Sequence, residues 1–310
     1  MGHKCLVIGD LNIDLIFEKL DRFPELGSEI LARESYLDIG GSGGIFSAVL
    51  SQLGVETFLI SEIGNDYFGR FLIEKLEKYG VKTNLINVNE NKNTGITVTA
   101  SYPKDKYQIS ELDILRTMDF AKLKKDFISE LNHIHFTSYY MMKSLRPKYL
   151  NFIKEVKKVN KAVKFSMDTN DDPYNEWNSN IATILKNIDI LFLNEKEALK
   201  ISNSSTIEKA VETLKYLAKV LVIKLGPKGG MVNFSENIIN GGPIDVDFQD
   251  STGAGDNFDA GFVFGYLKDL EMNTNLRIAN ICGGNSVDSI GGVGKIERFV
   301  KLREDINKVI

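Results

Sequence analysis

Short apolar runs at residues 5–8, 57–61, 133–137, 163–167, 188–193 and 220–225 alternate with stretches of helical periodicity at 45–53, 68–78, 147–159, 207–218, 254–267 and 276–286. Strands this continuously apolar have no polar side to turn to water, so both of their faces must be buried. Helices between successive strands provide the crossovers that parallel pairing needs. The arrangement that meets both demands is an α/β fold of three layers, a mostly parallel central sheet with helices on each side. No linker, repeat or low-complexity tract divides the chain, and the Ser202-Asn203-Ser204-Ser205-Thr206 run fits a loop and helix cap, so one domain over residues 1–310 is expected. In sheets of this kind ligands gather beyond the carboxyl ends of the strands, where loops lead into helix N-termini.

Residues 12–39 and 94–109 break the alternation. The first holds Pro24, Gly27 and the alternating run Glu29-Ile30-Leu31-Ala32-Arg33; the second is rich in β-branched residues from Thr94 to Tyr102. Both predict strands outside the main sheet. With 38 basic and 42 acidic residues in 310, a net charge of −4, the chain offers no basic surface for nucleic acid. Cys5 and Cys282 lie in apolar or glycine-rich surroundings without metal spacing, and are expected as buried thiols in a reducing compartment. No apolar run reaches the roughly 18 residues of a membrane span, and the residues ahead of the first strand are too few for a signal peptide. A cytoplasmic protein with no membrane partner is expected. His133 and His135 share one face of a strand with no further ligands in view, and are expected to be structural.

The stretch Asp250-Ser251-Thr252-Gly253-Ala254-Gly255-Asp256-Asn257-Phe258 carries the chemistry. Gly253, Ala254 and Gly255 allow a tight turn with no side chain in the way, and a helix follows at once, with Phe258 and Phe262 four apart on its buried face. Their N–H groups then stand at a helix N-terminus and favour an anion, most often a phosphate. A carboxylate there would only repel a bound phosphate. A reaction in which a hydroxyl attacks that phosphate, however, needs a base at this spot, and Asp256 is the candidate. Phosphoryl transfer from a nucleotide to an alcohol accounts for the cradle and the carboxylate together.

This stretch resembles the C-terminal signature of the ribokinase-like carbohydrate kinases, the PfkB family, which reads Asp-Thr-x-Gly-Ala-Gly-Asp-x-Phe. Gly40-Gly41-Ser42-Gly43-Gly44, ahead of a predicted helix, is similar to the family's N-terminal glycine turn, so the resemblance spans nearly the whole chain. It implies a ribokinase-like α/β/α sandwich, with residues 12–39 and 94–109 as a small β lid over the acceptor site and a contact in a homodimer. It implies ATP, Mg²⁺ and a sugar or polyol acceptor of the γ-phosphate. Asp14 would hold acceptor hydroxyls, with Asn12, Gly40, Gly41 and Ser42 close by. Asn194 and Glu197 match an Asn-x-x-Glu motif in which Glu197 organises Mg²⁺ through water, although a helix cap alone explains the same pattern. Asp168 is a second acidic candidate. Lys224, Gly226 and Gly229 match the strand and glycine turn beside the nucleotide, Gly253 and Gly255 its phosphates, and Asn280 the adenine contact. Carbonyls near Asp250, Thr252 and Gly291-Gly292 correspond to a K⁺ site in relatives.

The chain departs from the family at two acceptor positions. Ile45 stands where many members have Asn, and Ser42 where some have Lys. The missing lysine disfavours a sugar phosphate as acceptor, while Ile45, Phe46, Tyr139 and Tyr140 offer apolar contact for the base of a nucleoside, the alternative acceptor. A nicotinamide-dependent oxidoreductase is excluded by Phe46, which occupies the third glycine position of a dinucleotide fingerprint. A nucleotide-binding protein without activity would be expected to have lost Asp256.

Overall fold

In chain order the strands are β1 (Lys4–Ile8), β2 (Asn12–Glu18), β3 (Glu34–Gly40), β4 (Glu56–Ile60), β5 (Glu62–Gly64), β6 (Asn87–Asn89), β7 (Ile96–Ser101), β8 (Lys106–Glu111), β9 (His133–Phe136), β10 (Lys164–Asp168), β11 (Ile190–Asn194), β12 (Val220–Lys224), β13 (Gly230–Phe234) and β14 (Asn237–Gly241). The helices are α1 (Ser42–Gln52), α2 (Tyr67–Lys78), α3 (Lys125–Glu130), α4 (Tyr149–Val159), α5 (Ile181–Leu185), α6 (Glu195–Ser202), α7 (Ile207–Leu214), α8 (Ala254–Leu267), α9 (Met272–Val287) and α10 (Arg298–Asn307). The computed structural model describes residues 2–22, 24–102, 106–177 and 180–310.

Eight strands form the main sheet in the order β14-β13-β12-β11-β10-β9-β1-β4. From β4 to β12 the neighbours are parallel. The β13-β14 hairpin adds an antiparallel edge. Side chains along the parallel strands alternate between two cores, as pleating requires. Cys5, Val7, Ile190 and Phe192 enter one, covered by α1, α2, α8, α9 and α10. Leu6, Ile8, Leu191 and Leu193 enter the other, covered by α3 to α7. Burial on both faces is the reason these strands read as unbroken apolar runs. Cys5 and Cys282 are buried and free, as expected. Among the described residues no helix is long and apolar enough to cross a membrane.

A separate four-stranded sheet runs β3-β2-β7-β8. It occupies the two segments that broke the alternation; residues 23 and 103–105 of those segments lie outside the described residues. The alternating run at 29–33 is not one of its strands: these residues are irregular, and Leu31 is 84% exposed. Alternation marks a strand only where a neighbour pairs with it, and here pairing begins at Glu34, opposite Glu18. The predicted helix at 207–218 stops at Leu214, and that at 276–286 starts earlier, at Met272. On one face of the small sheet Asp14, Thr97 and Thr99 are buried. On the other, Leu15, Phe17 and Val98 are half-buried, and Tyr107 and Ile109 are 48% and 62% exposed.

Candidate active site

Because β1, β9, β10, β11 and β12 are parallel, the residues that follow them meet at one edge of the sheet, where α1 and α8 begin. Gly253 caps α8 with φ 70°, in the left-handed region, and a Cβ there would lie 2.6 Å from the Gly292 Cα. Only glycine fits both the angle and the approach. Among the described residues no side chain caps this helix, and the Ala254 N–H donates back to the Ser251 carbonyl at 3.2 Å. The next N–H groups of the first turn, those of Gly255 and Asp256, have no acceptor within a helix, which suits them to an anion.

The 253–256 turn stands between two cavities. Ser251, Ala254 and Gly255 line the larger, about 550 Å³, together with Lys224, Gly226, Gly229 and Asn280. Its other walls are mostly apolar, among them Ile244, Val246, Phe248 and Phe258. Thr252, Gly253 and Asp256 line the smaller, about 360 Å³, which also receives Asn12, Asp14, Gly41 and Ser42. Among the described residues lining this second cavity there is no Lys or Arg, against four aspartates, Asp10, Asp14, Asp171 and Asp256. The small sheet closes it with Thr97, Gln108 and Ser110.

Asp256 is 9% exposed. Burial and the nearby Asp168 push its carboxyl up to about 7, against the pull of Lys224 and of the Ser42 hydroxyl, with Asp10 adding to the rise. Lys224 itself is bound on two sides, to Asp168 at 2.6 Å and Asp259 at 3.0 Å. Burial would lower its pKa, but Asp168, Asp259 and Glu197 together raise it well above the usual value. A Cβ on Gly255 would lie 3.3 Å from the Lys224 Nζ, so the ammonium sits directly behind the turn. It adds positive charge there from within a buried ion cluster.

Asn194 and Glu197 form the complete capping box of α6. The Asn194 side chain accepts from the Glu197 N–H, and the Glu197 oxygens accept from the Asn194 N–H at 2.8 Å and its Nδ2 at 2.6 Å. Burial, then Asp168, push the Glu197 carboxyl up to about 8, opposed by Lys224. Asp14, on β2, accepts from the Asn12 Nδ2 at 3.1 Å, and its carboxylate occupies the space that a Gly40 side chain would fill. Asp250 accepts from the Thr252 N–H and hydroxyl at 2.9 and 2.8 Å and from the Gly291 N–H at 3.0 Å, tying the two turns together.

Some expectations are corrected. Phe46, Tyr139 and Tyr140 are fully packed core residues and do not line the second cavity, whereas Ile45 does. Phe46 stacks instead on His135, with ring centroids 3.8 Å apart. His133 and His135 both bond to the Ser166 hydroxyl, at 2.6 and 2.7 Å, and are buried, which fits their structural reading.

The model of the pfkB family of carbohydrate kinases matches residues 2–297. The chain belongs to that family. It is 25% identical over 252 residues to an uncharacterised sugar kinase of Archaeoglobus fulgidus, a match over 81% of this chain and 99% of the relative. A nucleoside kinase of Methanothermobacter thermautotrophicus is 26% identical, over 93% of this chain and 91% of its own. Among solved structures, Arabidopsis thaliana ribokinase complexed with ribose and ATP superimposes with a TM-score of 0.76 at 21% identity, covering 98% of this chain and 99% of the other. The fold is thus ribokinase-like, and the relatives are kinases.

In this PfkB-family chain, sequence reasoning missed several polar residues at the site. Asp10, Ser138 and Asn170 each follow a strand of the central sheet, and they are bonded to one another there. Their common signal was available: each is a polar residue within two positions of the end of an apolar strand.

Proposed function

We propose that the protein transfers the γ-phosphoryl group of ATP to a hydroxyl of a small uncharged sugar or related polyol, with Asp256 as the base. The observation that carries this reading is the 253–256 turn as a partition, with a mostly apolar cavity on one side and a polar, acidic one on the other. Apolar walls with the Asn280 amide suit a nucleobase. The N-terminus of α8 and the ammonium of Lys224 suit the triphosphate at the turn. An acceptor hydroxyl in the second cavity gives its proton to Asp256 as its oxygen bonds to the γ-phosphorus and the bond to the ADP oxygen breaks. Asp14 and Asn12 orient the other hydroxyls, a carboxylate being a strong acceptor for two such donors. Gly40 and Gly41 let the backbone come close to them.

Four aspartates and, among the described residues, no lining cation disfavour an acceptor that already carries a phosphate. Lys196 stands nearby but is bonded to both oxygens of Asp171 at 2.8 Å. A nucleoside acceptor is the second reading, supported by the apolar wall of Ile45, Leu112, Met141 and Pro173. Glu197 fits a role near Mg²⁺: each of its oxygens accepts one hydrogen bond and keeps a lone pair for a metal-bound water. When bound, Mg²⁺ neutralises charge on the triphosphate. A potassium ion by Asp250 would rely on backbone carbonyls, since three donors already engage that carboxylate; exchanging K⁺ for Na⁺ in the assay tests it. The outer apolar face of the small sheet supports a homodimer formed through the lid.

The deciding experiment measures ADP release with pentoses, hexoses, inositols, nucleosides and sugar phosphates against ATP alone. Stimulation by an unphosphorylated polyol is expected. Turnover confined to sugar phosphates or to nucleosides would refute the acceptor class, and no stimulation by any acceptor would refute the kinase reading.

A further inference from the structure

We infer that Asn257 and Arg298 are positioning residues for the nucleotide's phosphates: Asn257 straps the 253–256 turn to the turn at Gly292, and Arg298 sets the direction of the strap. This rests on the reading of the 253–256 turn as the phosphate site. The Asn257 Nδ2 lies 2.8 Å from the Gly253 carbonyl oxygen and 2.8 Å from that of Gly292. The other end of the amide lies 2.6 Å from the Arg298 Nη2. Carbonyl oxygens only accept and a guanidinium only donates, so a single orientation of the amide satisfies all three contacts. The NH₂ serves the two carbonyls, and the oxygen takes the bond from Arg298. Flipping the amide would set NH₂ against N–H and oxygen against two oxygens.

The Gly253 carbonyl is the first acceptor of α8, and it also takes the Asn257 backbone N–H at 2.9 Å. Held by two donors of one residue, it fixes the direction of the first turn and with it the aim of the Gly255 and Asp256 N–H groups. Neither turn is stiff by itself. Gly291 and Gly294, on either side of Gly292, have left-handed backbones with φ 86° and 67°, as Gly253 has across from them. Glycine permits these angles and the close approach of the two turns but does nothing to hold them. Asp250 joins the turns through the Gly291 N–H, and the buried Asn257 adds a second tie through the Gly292 carbonyl.

Arg298 is the first residue of α10. Its guanidinium bonds to two amide oxygens, of Asn257 and, at 3.5 Å, of Asn285, and its Nε has no partner among the described residues. Burial lowers its pKa to about 10, so it is still a cation at neutral pH. A cation bonded to a carboxylate is largely neutralised, whereas one bonded to an amide oxygen draws electron density from it and strengthens the NH₂ as a donor. Neither Asn257 nor Arg298 lines either cavity, so both act through the turn and not on the ligand itself.

The test is calorimetric binding, in Mg²⁺, of ATP and of AMP, which lacks the β- and γ-phosphates. It compares the wild-type chain with Asn257→Ala, Arg298→Met and the double variant, each checked for folding by thermal melting. ATP affinity should fall about tenfold in Asn257→Ala, the scale of one lost hydrogen bond, while AMP affinity stays nearly unchanged. Arg298→Met should show a smaller loss of the same kind, and the double variant should be no worse than Asn257→Ala, because Arg298 acts through Asn257. Unchanged ATP affinity in folded variants, or equal losses for ATP and AMP, would make the pair a support of the fold alone and overturn the inference. Additive losses would overturn it too, since a direct effect of the arginine's charge on the phosphates survives without Asn257. Should Asn257→Ala fail to fold, Arg298→Met decides the matter by whether ATP loses affinity and AMP does not. The phosphate-site reading fails separately, if the wild-type chain binds ATP no more tightly than AMP.

Discussion

Asp256→Asn should abolish most turnover and at the same time stabilise the fold, with the gain confined to neutral and alkaline pH. The carboxyl titrates near 7 instead of the ordinary 3.8, a rise of about three pH units. At 1.36 kcal/mol per unit, ionising it inside the fold is disfavoured by ~4 kcal/mol. The sign follows from proton binding: between pH 3.8 and 7 the native carboxyl holds a proton that the unfolded chain has released, so this group erodes stability as pH rises, fully by pH 7 and not at all below pH 3.8. Asparagine carries no charge and escapes the penalty, though its amide keeps a burial cost of its own of roughly 1–3 kcal/mol. The net gain at pH 8 is then about 1–3 kcal/mol, or a Tm higher by a few degrees for a chain of this size. The assay is thermal melting of both proteins at pH 4 and pH 8, in which all other titrating groups cancel in the difference, beside kcat at pH 8. The expected result is a variant with the higher Tm at pH 8 and, because the amide's burial cost remains once the ionisation penalty is gone, the lower Tm at pH 4, with kcat down about 10²-fold or more. A gap independent of pH, a variant less stable at pH 8, or near-normal turnover would refute the reasoning.

Asp14→Ala should raise KM for the acceptor at least about tenfold, since each charge-assisted hydrogen bond contributes about 1.5–3 kcal/mol, and leave KM for ATP nearly unchanged; equal effects on both substrates would make Asp14 a structural residue. Burial lowers the pKa of His133 to about 4, and that of His135 well below 6.5, where the unfolded chain titrates. Both histidines therefore stabilise the neutral fold above pH 6.5 and withdraw that stability as pH falls, opposite in sign to Asp256. The fall in Tm from pH 6.5 to 4.5 should be shallower in His133→Asn, and an unchanged slope would contradict this. Ile109→Lys, on the exposed face of the small sheet, should reduce the mass seen by light scattering to that of one chain without lowering Tm by more than a few degrees; an unchanged mass would place any self-association elsewhere.

Much of the fold was legible because strands buried on both faces leave continuous apolar runs, and the 250–258 stretch was legible because its turn, helix start and carboxylate are adjacent in sequence. What escaped was whatever the sheet order alone brings together. Asn170 and Ser42 are 128 residues apart, and Lys224 and Asp168 are 56 apart. No local spacing announces either pair. Lys224 was legible as a cation beside a glycine turn, but not as the partner of Asp259, because pairing depends on where α8 crosses the end of β12. Phe46, Tyr139 and Tyr140 were candidates for a ligand wall because their rings offer apolar contact to a base; helical and loop geometry turns them into the core. The β13-β14 hairpin escaped for the converse reason, since edge strands need little apolar character and Asn237, Asn240 and Gly241 conceal one of them.

Glu197 presents the sharpest contest between a structural and a functional account, because its capping box is complete and would justify the residue without any metal. The two accounts separate by observable. A cap contributes about 1 kcal/mol to stability and leaves the response to Mg²⁺ alone. A carboxylate that meets a metal-bound water contributes its charge to cation affinity and leaves the rate at saturating Mg²⁺ nearly alone. Glu197→Gln keeps one acceptor for the Asn194 N–H but loses the charge, and it opposes an NH₂ to the Asn194 Nδ2 that now donates to Glu197 at 2.6 Å. Burial, then Asp168, raise the pKa of this carboxyl against the pull of Lys224, so its anionic form is disfavoured until a cation stands beside it. A triphosphate adds further negative charge, and relief by a divalent cation is the arrangement such a site favours. The substitution should therefore raise the Mg²⁺ concentration for half-maximal rate about tenfold, a loss of one charge-assisted contact, while kcat at saturating Mg²⁺ changes little. A shifted Tm with an unmoved Mg²⁺ titration would return Glu197 to the helix cap and leave the cation to the phosphates and water.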